Sequence, residues 1–169
     1  MATRKSAGKT AKDNLPLFNQ GEEIQVVTAN VEVAATWNDG DIVILAHNLP
    51  IDTIVNRIML PAGFTAITGA TDYDIGFYKP SGVDGQDVGD ALDADALVDG
   101  YDFDASSLSS SLDILGTNVT IDREKTIGEL LSLTSETAPA GGVHLCMTLN
   151  TAGTAAGVLD FDVHLIKAH

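Results

Sequence analysis

Residues 143–150, VHLCMTLN, and 159–165, LDFDVHL, decide the fold class. In the first, Val143, Leu145, Met147 and Leu149 alternate with His144, Cys146, Thr148 and Asn150. In the second, Leu159, Phe161, Val163 and Leu165 alternate with Asp160, Asp162 and His164. A period of two puts every apolar side chain of an extended segment on one face, whereas a helix needs recurrence at three and four residues. Both stretches therefore read as strands with one buried face. The small-residue run TAGTAAG between them has loop composition and suggests that the two form a hairpin.

The same rule carries the reading toward the N-terminus. Val27, Ala29, Val31, Val33, Ala35 and Trp37 repeat at every second position with Thr28, Asn30, Glu32 and Thr36 between them. Asn38-Asp39-Gly40 is turn chemistry, because Asp-Gly tolerates positive φ, and the β-rich run DIVILAH follows. These first two strands are expected to pair as a hairpin. Asn48 to Pro50 break the chain before a third strand, TIVNRIML, which stops at Pro61, and PAGFTAITGA reads as a connection. Tyr73, Ile75 and Phe77 mark a fourth strand that ends at Lys79-Pro80-Ser81-Gly82. From Gly82 to Asp104 the composition predicts a long surface excursion, with Asp90 capping one helical turn through ALDADAL. Weaker β signals follow in LDILGTNVTI and TIGELLSL. Seven or eight alternating strands with few helical candidates predict an all-β fold, an antiparallel β-sandwich of jelly-roll type. Residues 1–14, MATRKSAGKTAKDN, are basic and aperiodic and read as a disordered or extended arm, and residues 15–169 as a single β-sandwich domain.

Charge narrows the function. The chain has 24 acidic and 9 basic side chains and a formal charge of −15. Arg4, Lys5, Lys9 and Lys12 less Asp13 make the first thirteen residues +3, which leaves −18 on the rest. A body of that sign repels phosphate backbones, so nucleic acid is not an expected partner of the folded part. Cys146 is the only cysteine, so no intramolecular disulfide can form. No stretch approaches the roughly 20 apolar residues of a membrane-spanning helix, and no membrane partner is expected.

Motifs of catalysis are missing from the sequence. It contains no G-x-S-x-G, no G-x-x-x-x-G-K-[ST], no G-x-G-x-x-G and no H-E-x-x-H, and the expectation is a protein that is not an enzyme and needs no cofactor. Cys146 reads as a small strand residue. Asp84, Asp87, Asp90, Asp93, Asp95, Asp99, Asp102 and Asp104 occur with no Lys or Arg between Lys79 and Arg123. Oxygen-rich segments of this kind can bind calcium, with Asp93 and Asp95 the first candidates, although the spacing fits no EF-hand and a solvated acidic loop is the plainer reading. If the last two strands pair with Leu149 facing Leu159, His144 falls opposite His164 and Cys146 opposite Asp162, a set of residue types able to hold zinc. Asn118-Val119-Thr120 is a glycosylation sequon by letter only, and His47 and His169 have no nameable partner.

Three segments resemble a known group. GDIVILAHNLPIDTIVNRIMLPAG, TDYDIGFYKPSG and DADALVDGYDFDAS, within about residues 40 to 106, are similar to small structural proteins of tailed bacteriophages, capsid decoration or cement proteins among them. The shared elements here are Gly40-Asp41, Leu49-Pro50, Asp74-Ile75-Gly76, Asp93 to Leu97 and Val98-Asp99-Gly100. The resemblance implies a β-sandwich on the outside of an icosahedral shell, bound to the major capsid protein, commonly as a trimer, and located in the virion after synthesis in the host cytoplasm. It brings no catalytic residues. Arg4, Lys5, Lys9 and Lys12 are then the contact residues of an arm laid over capsid or a neighbouring subunit. The competing reading is a carbohydrate- or calcium-binding β-sandwich module of a phage fibre or tail, for which Trp37, Tyr73, Tyr78 and Tyr101 would be the stacking platforms.

Overall fold

Alternating strands become two sheets closed over one core in the computed structural model, which describes residues 3–5, 24–82, 85–105 and 107–168. In chain order the elements are β1 (Thr3–Lys5), β2 (Gln25–Val33), β3 (Ile42–Leu49), β4 (Thr53–Leu60), β5 (Asp72–Ser81), β6 (Asp87–Tyr101), β7 (Leu112–Asp113), α1 (Ile127–Leu130), β8 (Val143–Thr151) and β9 (Gly157–Lys167). One sheet has the order β1-β3-β8-β5-β6 and the other β2-β9-β4-β7. Apart from the parallel β1–β3 pair, every pairing is antiparallel. Strands β2 to β9 thus form two four-stranded sheets that the chain visits by crossing repeatedly between them. This is a jelly-roll sandwich.

The core lies where the period of two placed it. Val27, Ala29, Val31 and Val33 of β2, Leu145, Met147 and Leu149 of β8, and Leu159, Phe161, Val163 and Leu165 of β9 are buried in one cluster with Tyr73, Ile75 and Phe77 of β5. Phe103 is its aromatic centre, 5.1 Å from Tyr73, 4.7 Å from Tyr101 and 5.7 Å from Phe64 between ring centroids. Edge-to-face packing of this kind adds specificity to apolar burial.

Two expected hairpins are absent. β2 pairs with β9 and β3 with β8, so the Asn38-Asp39-Gly40 turn carries the chain from one sheet to the other. The turn is fixed on β8: Gly40, at φ +83, donates its N–H to the Leu149 carbonyl at 2.7 Å, and Asp39 accepts from Ala152 N–H at 2.8 Å. β2 ends at Val33, and Trp37 packs, partly buried, against the core rim. Likewise β8 and β9 lie in opposite sheets, and residues 152–156 cross between them.

The segment expected to loop over the surface is a strand. β6 spans Asp87–Tyr101 at the edge of its sheet, and Asp90 lies within it, capping no helical turn. It escapes the period of two because it is heavily bulged: between the pairs Ile75↔Val98 and Phe77↔Asp93, β5 advances two residues and β6 five. The TIGELLSL segment is helical at Ile127–Leu130, where Thr126 and Glu129 form a reciprocal capping box, and LDILGTNVTI contributes only Leu112–Asp113 as strand.

Candidate functional site

Much of the aspartate-rich segment and three of the five phage-like elements lie on β5 and β6. Asp87, Asp90, Asp93, Asp95 and Asp99 of β6 are all exposed along the sheet edge, and Asp84 lies outside the described residues. The carboxyls of Asp93 and Asp95 are neighbours. Partial shielding from water, the hydrogen bond with Asp95 and its negative charge hold the Asp93 carboxyl above the usual range. Among the described residues no group of three or more His, Cys, Asp or Glu side chains converges as a metal site.

The motif residues have mechanical roles. An added Cβ on Gly76 would overlap the backbone of Asp93 and stand 2.5 Å from the Ala94 carbonyl oxygen, so only glycine lets the β6 bulge lie directly on β5. Crossing there, β6 brings Val88 and Ala94 against a second apolar cluster, Ile42, Ile44, Tyr78 and Cys146, on the sheet's other face. Asp74, only 9% exposed, accepts from Gly100 N–H at 2.8 Å and from Asn150 Nδ2 at 2.6 Å. Gly100 sits at φ +62, and the Asn118 side chain donates to the Asp99 carbonyl at 2.6 Å. The Asp74-Ile75-Gly76 and Val98-Asp99-Gly100 elements are therefore two halves of one clasp.

The zinc constellation is not assembled. His144 is on β8 and His164 on β9, in different sheets, and Cys146 and Asp162 are separated with them. His164 lies beside Val26 and Arg57, whereas His144 is fully buried, takes a hydrogen bond from Asn48 N–H on Nδ1 at 3.1 Å and packs edge-on against His47 at 5.0 Å. That histidine pair had no signal in the sequence, because β3 and β8 are about a hundred residues apart. Cys146 is buried, and burial pushes its thiol far above the ordinary range, which leaves it unreactive. His169, Lys9 and Lys12 lie outside the described residues. The backbone of Arg4 and Lys5 is in β1, opposite Val43 and Ile44.

Of the aromatic residues considered as sugar platforms, Tyr73 and Tyr78 are buried, and Trp37 and Tyr101 are partly buried against the core. Among the described residues, a depression of about 320 Å³ lies beside Pro61, Gly63, Phe64, Val158 and Asp160.

No protein-family model matches the sequence, and no curated protein matches it. A solved structure does: a chain from the capsid of Ralstonia phage GP4 superposes over 99% of both chains with a TM-score of 0.62, at 11% identity. The two chains share one fold. At that identity the likeness covers architecture from end to end and carries no residue-level correspondence. It accords with the two-sheet sandwich read from the strand pairings.

Proposed function

We propose that this chain is a virion structural protein of a tailed bacteriophage, a decoration or cement protein that binds the outer capsid surface and stabilises the shell. The observation that carries the reading is the fold shared along the whole chain with a phage capsid chain, taken with the phage-like segments that the fold turns into a clasp. The role is mechanical and asks for no catalytic group or cofactor. Its partners are the major capsid protein and further copies of this chain, as a trimer, and its place is the capsid surface.

The acidic body forms the main footprint, and the arm with Arg4, Lys5, Lys9 and Lys12 extends the contact to an adjacent subunit. The strand β1 supports this role, because a three-residue parallel pairing at a sheet edge is short enough to form equally with the β3 edge of a neighbour. Co-sedimentation with undecorated shells of the same virus tests the reading. The protein is expected to pellet with shells at micromolar concentration, and replacing the four arm cations by Ala should weaken binding more at low than at high salt. Protein that stays in the supernatant well above micromolar would reject the decoration role.

A further inference from the structure

The two sheets differ in what lies outside them. On the outer side of the β1-β3-β8-β5-β6 sheet, Ile42, Ile44, Tyr78, His144, Cys146 and Thr148 are all buried, so that sheet is covered on both faces. The outer side of the β2-β9-β4-β7 sheet is open. Among the described residues four large apolar side chains are exposed, Ile24, Val26, Leu112 and Val158, and all lie in this sheet or next to it in the chain. Val26 and Val158 stand on the outer face itself, 52% and 49% exposed. Apolar surface kept in water on one sheet, while the other sheet is closed, marks a docking face.

Strand register lays this face out in rows. His164 stands between Val26 and Arg57, Asp162 between Thr28 and Met59, Asp160 beside Asn30, and Val158 beside Glu32. The carboxylates therefore gather toward one end of the face, and the basic side chains Arg57 and His164 stand at the other. Thr28 donates to Asp162 at 2.8 Å and Asn30 donates to Asp160, which holds both carboxylates in place on the surface. Among the described residues no cation pairs with Glu32, Asp160 or Asp162. Val158 and Asp160 also line the depression beside Pro61, Gly63 and Phe64, a socket with apolar walls and one carboxylate. A lysine or arginine side chain suits that combination, with its stem on the apolar wall and its charge at Asp160.

We infer that this outer face is the footprint by which the folded body meets its protein partner, a surface of apolar side chains flanked by lysine or arginine. Burial of Val26 and Val158 supplies attraction, and the split between the acidic end and the Arg57–His164 end fixes the orientation. A second copy of the chain would bring the same surplus of carboxylates, so the face selects a partner of opposite sign. That this partner is the capsid shell rests on the function proposed above.

Carboxyl labelling with a carbodiimide and glycinamide tests the footprint on the full chain, free and bound to undecorated shells, with mass spectrometry reading each site. With shell sites at about ten times the dissociation constant, labelling of Glu32 and Asp162 should fall about tenfold, and that of Asp87 and Asp90 on β6 should stay within about twofold of the free chain. Glu32→Lys should weaken shell binding about fivefold at low salt, whereas Asp90→Lys, the same charge change on the other sheet, should leave it unchanged. Both positions are exposed, and melting temperatures within about 2 °C of the parent would verify that both variants fold. Shells that bind the chain yet leave Glu32 and Asp162 as reactive as before, or equal loss of binding in the two variants, would overturn the footprint and spare the decoration role. A chain that does not pellet with the shells would overturn both. Protection of these carboxyls that rises with the concentration of the chain alone would overturn the inference in favour of a second copy.

Discussion

Gly76→Ala is the sharpest probe of the clasp. A Cβ at this position meets the Asp93 carbonyl and the Ala94 backbone, and no rotamer change can move either aside. The β6 bulge must lift, and behind it Leu97 and Val98, both fully buried, lose part of their packing. Overpacking typically costs about 1–3 kcal/mol, and a bulge hydrogen bond lost adds about 1 kcal/mol, so the loss should be about 2–4 kcal/mol. For a chain of this length that lowers Tm by about 4–16 °C. Gly141→Ala is the control: it has φ +88 but nothing within 4 Å, so only conformational strain of about 1–2 kcal/mol applies. Scanning calorimetry on the two variants separates the effects. A Gly76→Ala protein that melts within about 2 °C of the parent would refute the argument.

Asp74→Ala should cost about 1–3 kcal/mol, because Gly100 N–H and the Asn150 amide lose their shared acceptor, and an unchanged urea midpoint would contradict that role. Alkaline pH should destabilise the fold. Burial raises the phenols of Tyr73 and Tyr78 above their ordinary value of 10.0, so the folded chain holds those protons more tightly than the unfolded one. The stabilisation is then complete below pH 10 and is lost as pH rises through the raised values. Phenolate absorbance that develops at ordinary pH without unfolding would show these rings to be open to water.

Much of this fold was legible because burial has a period. The inner faces of β2, β5, β8 and β9 could be named residue by residue from alternation alone. Strand partners could not. Neighbours in sequence usually pair, but among the described residues β5 and β6 are the only consecutive strands hydrogen-bonded in one sheet, so turn chemistry at Asn38-Asp39-Gly40 pointed to a hairpin the topology does not use. β6 was hidden for a related reason: an edge strand that bulges over Gly76 has no single face to bury, and its aspartates looked like loop composition. The short helix has a sequence signal in Thr126 and Glu129, three residues apart, that the β reading of TIGELLSL did not use. In the candidate site, Asp93 and Asp95 were singled out together but as part of a loop, and the bond from Gly100 to Asp74 depends on a 26-residue separation that no local pattern encodes.

Shell disruption is the measurement closest to the central claim. Undecorated shells heated with increasing amounts of the purified chain, and followed by calorimetry, should break at a temperature that rises and then saturates at a fixed ratio of this chain to capsid subunits, since a ligand of the assembled state stabilises it by mass action. A disruption temperature that does not move with the chain in large excess would contradict the account.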